Sequence, residues 1–299
     1  MSEEFWTQLA CGSLSKDLSG DSDEPACGGL STEDASVHDY SEAMARVSAC
    51  VRHRAARLQE EAREAGLRVR ELMRQPPARR QWMVRNSVRY RSWSIGDRLL
   101  EVCRGAWTRS PEAALEWAQL TLYVAQGLDP EVYGSGPVRD LEALALAYVG
   151  NCLRLLGDLP EAGRCVRLAR SRCAGGSGDQ LLAARVLGLW ALVLLDEGRA
   201  SEAASCLEQA QDLYLQSGDD AGLGRILALK GSLLLRSGEP LTASWLLRRA
   251  LRLVESDADP QLHWNLRYEL IHCSLAAGDR QQAVQVLEAT LKTLPKDSA

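Results

Sequence analysis

One pattern recurs five times along this chain at a nearly constant step, and that periodicity limits the fold more than any other feature. The segments are "AWTRSPEAALEWAQLTL", "GNCLRLLGDLPEAGRCVRLA", "LLDEGRASEAASCLEQAQ", "LLRSGEPLTASWLLRRAL" and "LAAGDRQQAVQVLEATL". Each has a short polar turn, then a small residue opening a helix, then an apolar residue four positions on. The marker alanines are Ala114, Ala162, Ala203, Ala243 and Ala283, spaced by 48, 41, 40 and 40 residues. Such a unit holds about 15 residues on each side of its turn, enough for an antiparallel helix pair. One pair cannot bury its apolar face alone, so the pairs must stack.

The glycines fit the same reading. Gly157, Gly198, Gly238 and Gly278 stand where a first helix ends, a position that calls for a left-handed residue. Gly150, Ala191 and Gly231 lie seven residues earlier and let the first helix approach the second. Leu207 and Leu247 are expected to fill the space between units. A phosphate-cradling loop would cluster its glycines between a strand and a helix, with a Lys nearby. Gly150 and Gly157 are instead separated by a helical run, so that reading is set aside.

These residues resemble the tetratricopeptide repeat family. The stretch "LALAYVGNCLRLLGDLPEAGRCVRLA" supplies Leu146, Gly150, Leu153, Gly157, Ala162, Val166 and Ala169 of its pattern. The last unit supplies Gly278, Ala283, Leu287 and a closing Pro295. The resemblance covers roughly residues 92–295. It implies an all-α, right-handed superhelical solenoid of about five helix pairs. The step of 40 exceeds the family's usual period of about 34, which implies longer helices, as in repeats of bacterial peptide-sensing regulators. Two departures stand out: Arg109 occupies the turn-glycine place of the first unit, and Ile271 the small-residue place of the last.

Charge divides the remainder. The net charge of −5 breaks into −8 over residues 1–40, +9 over 41–109 and −6 thereafter. Residues 1–39 are polar and acidic, and are expected to form a disordered tail. The aromatic pair Phe5–Trp6 at its start is a candidate docking motif. Residues 40–91 read as an Arg-rich helical cap, and 92–299 as the solenoid. Apolar Met44, Val47, Val51, Leu58, Leu67, Val69 and Leu72 mark the first cap helix, which "QPP" at 75–77 breaks. Trp82, Met83 and Trp93 are expected to pack on the first repeat. Glu60, Glu61, Glu64 and Glu71 can pair with Arg neighbours one turn away. The chain has 31 Arg and 4 Lys, so an Arg-rich collar follows overall usage, and a solvated helix face is the expectation.

No catalytic constellation is visible: there is no HExxH, no GxSxG and no CxxC. The four histidines are His38, His53, His263 and His272, and nine cysteines are scattered without metal-ligand spacing. Cys165 and Cys173 lie two helical turns apart, about 12 Å along the axis, too far for a bridge. Free thiols point to a reducing, cytoplasmic setting. No run of 18 apolar residues exists, so no membrane span is expected. The expectation is a non-enzyme without cofactor or metal.

The resemblance also implies where a partner would lie. Carried over from the family's groove positions, the candidates are Tyr148, Asn151, Arg154, Arg185, Leu192, Arg225, Ser232, Arg236, Tyr268 and His272. Arg185 and Arg225 share one repeat position, so a basic groove for an acidic peptide is expected, with the chain's own acidic tail as a second candidate occupant. The function implied is a protein-interaction scaffold or adaptor. The alternatives are a regulatory subunit of a bacterial transcription or signalling system, and a nucleic-acid contact through the Arg-rich helices.

Overall fold

The computed structural model of the chain describes residues 41–254 and 259–292, and among these there are thirteen α-helices, one 3-10 turn and no strand. The proposed disordered tail, its Phe5–Trp6 motif and Pro295 lie outside the described residues. Helices α1 (Ser41–Met73) and α2 (Pro77–Asn86) precede five antiparallel pairs. These are α3/α4 (Trp93–Ala106, Pro111–Gln126), α6/α7 (Ser135–Leu155, Leu159–Ala174), α8/α9 (Gln180–Asp196, Ala200–Ser217), α10/α11 (Asp220–Arg236, Pro240–Leu253) and α12/α13 (Pro260–Ala276, Arg280–Leu291). A single-turn helix, α5 (Pro130–Tyr133), interrupts the series.

The turn between the helices of a pair is built the same way four times. Gly157, Gly198, Gly238 and Gly278 all have positive φ, near 80°. In the first of these, Gly157 N donates to Arg154 O and Asp158 N donates to Leu153 O, at 3.0 and 2.9 Å. This six-to-one closure satisfies carbonyls that would otherwise be orphaned at the helix end. Asp158 then turns its carboxylate onto Glu161 N, capping the next helix. Asp279 does the same for Gln282 N. The first unit, with Arg109 in place of glycine, reverses direction through Ser110, whose hydroxyl accepts from Ala113 N.

Small residues bring the two helices of a pair together. A Cβ on Gly150 would stand 2.5 Å from Val166 Cγ2 and 3.0 Å from the Ala162 carbonyl oxygen. On Gly231 it would meet Leu247 Cδ2 at 2.7 Å. Ala114, Ala162, Ala203 and Ala243 are fully buried, as are Leu207 and Leu247. Between pairs the contacts are uneven. Each first helix touches the next first helix, whereas successive second helices barely meet. The stack therefore curves with the first helices on its inner side.

The irregular step of 48 residues has a structural cause. It accommodates α5, which turns Tyr133 inward so that its hydroxyl donates to Glu61 of α1 at 2.8 Å. The other Glu61 oxygen accepts from Ser94 N. Burial first, and then the Glu61 charge, push the Tyr133 phenol well above its usual range, so it stays a donor. Glu61 thus joins α1 to the first repeat instead of pairing along its own helix. Of the other acids, Glu60 and Glu64 do pair one turn away, with Arg63 and Arg68, while Glu71 reaches Arg89.

The cap residues only partly follow the sequence reading. Trp82 is 66% exposed. Contact with α4 comes instead from buried Val84 and from arginines. Arg80 lies 4.4 Å over the Trp117 ring and pairs with Glu116. Arg85 lies 4.0 Å over Tyr123. The guanidinium groups of these arginines lie on the rings of α4 where the tryptophan was expected to pack. Met44, Val47 and Leu67 are likewise exposed, while Leu58, Val69 and Leu72 are buried.

Two substitutions test this architecture. Gly150→Ala gains helix propensity of about 1 kcal/mol, but the overpacking against Val166 and the Ala162 carbonyl costs about 1–3 kcal/mol. Gly198→Ala places a Cβ in the left-handed region at a cost of about 1 kcal/mol. Both should lower the midpoint of urea unfolding without changing its slope.

Candidate functional site

The exposed faces of the first helices form the candidate surface, and its charge differs from the sequence expectation. Arg185, on α8, is exposed yet surrounded. Burial works against its charge, but Tyr148, Tyr214, Asp97 and Asp179 outweigh it and raise its pKa. Asp97 of α3 feels the reverse balance. Burial and then Glu101 push its carboxyl up, while Arg185 and Arg98 pull it down. Arg185 and Asp97, on the third and the first of the first helices, thus act on each other's charge without forming an ion pair among the described residues.

Further along, each expected arginine has a carboxylate. Arg154 donates to Asp196 Oδ2 at 2.7 Å and to Asn151 Oδ1 at 3.0 Å. Arg236 lies 3.9 Å from the other Asp196 oxygen. Asp196 is thus a shared acceptor between α6 and α10. Arg225 reaches Asp259 Oδ2 at 3.3 Å, while the other Asp259 oxygen caps α12 through Leu262 N. The surface is a row of alternating charges, not the uniformly basic groove that the arginines alone implied.

Other candidates divide between core and surface. Tyr148 is 3% exposed, tilted against Trp107 with ring centroids 4.9 Å apart. Asn151 is 2% exposed and held by Arg154. Both are interior residues, because the approach of neighbouring first helices closes over them, so neither offers the open contact expected of it. Leu192 is half-buried against the core. Tyr268 is 63% exposed and makes an edge contact with His272 at 4.4 Å. Those two, with Arg185, Arg225 and Arg236, are the residues of the set that solvent reaches most freely or that stand in the charged row.

Ser232 belongs to a tighter arrangement. Its hydroxyl faces both Glu269 oxygens, at 2.5 and 2.6 Å. Burial raises the Glu269 pKa, against the opposing pull of Ser232 and His272. Asp97, Asp196, Asp259 and Glu269 were all missed in the sequence. The signal was there for two of them. Asp196 and Arg236 occupy the same place, two residues before successive turn glycines, and Asp259 stands before Pro260 as a cap.

Buried Cys103 and Cys152 join the first two pairs, their sulfurs 3.9 Å apart as a thiol pair. Among the described residues, no group of three His, Cys, Asp or Glu could hold a metal ion. No helix there is long and apolar enough to cross a membrane.

The sign of the Glu269 effect can be tested. Its folded carboxyl binds a proton more readily than in the unfolded chain, where the ordinary value is 4.5. Its contribution to stability is therefore full below that value and lost as pH rises through the raised folded value. Glu269→Gln should remove this slope. Urea unfolding of both proteins from about pH 4 to pH 7 should show the wild type losing stability relative to the variant as pH rises.

No family model matches the chain, and no curated protein does. Solved structures are similar in fold. BtubC (BKLC) from P. vanneervenii aligns at 17% identity over 81% of this chain and 96% of its own, with a TM-score of 0.52. Two structures of a Podosopora anserina putative kinesin light chain with nearly identical TPR-like repeats align at 16% and 15% identity. They cover 66% and 67% of this chain and 92% and 95% of their own, with TM-scores of 0.46 and 0.44. With five stacked helix pairs and the likeness to BtubC, the chain has an all-α solenoid fold of tetratricopeptide-like helix pairs.

Proposed function

We propose that this chain is a non-catalytic protein-interaction scaffold that holds an extended peptide along its first helices. The observation that carries the reading is the continuous row of charged and polar side chains, from Asp97 through Arg185, Asp196 and Arg225 to Tyr268 and His272, on the inner side of a curved stack. Such a surface offers alternating donors and acceptors at the spacing of successive first helices, which suits a peptide of mixed charge better than a purely acidic one. Arg185 and the Tyr268–His272 pair are the anchors. Asp196 and Asp259 keep Arg154, Arg225 and Arg236 extended, so less side-chain entropy is lost on binding.

Use of the Arg-rich helices as a nucleic-acid surface is the weaker reading. Arg63, Arg68, Arg80, Arg85 and Arg89 are already engaged by acids or rings of the chain itself.

The purified full chain can be used to capture peptides from a nuclease-treated digest of its source. The wild type should enrich defined peptides. Arg185→Glu/Arg225→Glu should lower their recovery by about ten-fold or more, the effect of reversing two charge-assisted contacts. Because Arg225 also holds Asp259, a second variant, Tyr268→Ala/His272→Ala, removes exposed side chains only and should weaken capture as well. Recovery unchanged in both variants, or lost on nuclease treatment alone, would overturn the proposal.

A further inference from the structure

One repeat position changes character in the last pair. Eleven residues before each turn glycine stand Leu146, Leu187, Leu227 and then Arg267. The three leucines are buried or half-buried core residues. An arginine in that series forfeits apolar burial and carries a cation into a packed position, at a substantial cost if it is left unpaired. Its Nε is buried and has no hydrogen-bond partner.

Arg267 opens into a cleft of about 320 Å³ between the second helices α11 and α13, lined also by Arg248, Arg252, Leu251, Leu270 and Val286. The cleft exists because successive second helices do not close on each other. The two further arginines come from one face of α11, one turn apart. Arg248 donates through Nε to Ser244 Oγ at 3.3 Å. Among the described residues, no carboxylate pairs with any of the three, whereas Arg154, Arg225 and Arg236 of the inner face each meet one. Burial, and then the charge of Arg267, hold His263 below its usual range.

We propose that this cleft is a binding site for a phosphate group carried on an apolar body, gripped by Arg248, Arg252 and Arg267. Three guanidinium groups exceed what one carboxylate neutralises, and match the charge and multiple acceptors of a phosphate monoester. Leu251, Leu270 and Val286 supply the apolar wall against which the ester group lies. The site is on the side of the second helices and is independent of the proposed peptide surface.

The test uses the full chain and two probes, inorganic phosphate and phenyl phosphate, titrated calorimetrically at constant ionic strength set with chloride. The wild type should bind phenyl phosphate saturably and more tightly than inorganic phosphate. Arg267→Leu restores the residue of the other repeats, so it should fold with unchanged helical content and lose at least about ten-fold in affinity, the loss of one charge-assisted contact. Arg248→Gln/Arg252→Gln should weaken binding without touching the buried position. Wild-type affinity in Arg267→Leu would overturn the site, as would stabilisation by phosphate no greater than that by chloride. Equal affinity for the two probes would overturn the assignment to an ester.

Discussion

The structure depends on how closely the first helix of each pair can approach the second. Gly150 against Ala162, and Gly231 against Ala243 and Leu247, set that distance, and the left-handed glycine of each turn aims the second helix back along the first. Everything outward follows from it. A pair that closes tightly presents a ridge of Leu and Val to its neighbour, so burial accumulates pair by pair. It also leaves no space at the first-helix contacts, which is why Tyr148 and Asn151 are sealed inside.

The electrostatics of the inner face follow a second rule. A row of arginines in adjacent repeats would repel along the stack. Placing Asp196 between Arg154 and Arg236, and Asp259 against Arg225, converts that repulsion into contacts between neighbouring pairs. Such pairs are partly solvated and individually weak. Their larger effect is on geometry: each ties a side chain of one repeat to the start or end of a helix in another. Among the described residues, Arg248, Arg252 and Arg267 have no carboxylate partner of this kind, and that contrast distinguishes the two faces.

Much of the fold was legible because backbone requirements repeat. Glycine at a left-handed turn and alanine at a helix crossing leave a mark every 40 residues, and both were read correctly from spacing alone. The candidate surface was less legible because side chains act through partners distant in sequence. Arg185 reads as a free cation until Tyr148, Tyr214 and Asp97, from other helices, are found to act on its charge. Tyr148 reads as a contact residue until Trp107 covers it. The cap misled for a related reason. Trp82 was expected inside on hydrophobicity, but the guanidinium groups of Arg80 and Arg85 lie over the rings of α4 and the tryptophan stays outside.

The unequal contacts between successive pairs have a mechanical meaning. First helices abut, while second helices stand apart. Compressing the inner side would drive packed side chains into each other, which dense interiors resist. Spreading or narrowing the outer side moves second helices that scarcely touch one another, each held chiefly through the next first helix. The stack is therefore compliant in one sense of bending and stiff in the other, like a spine hinged along one edge.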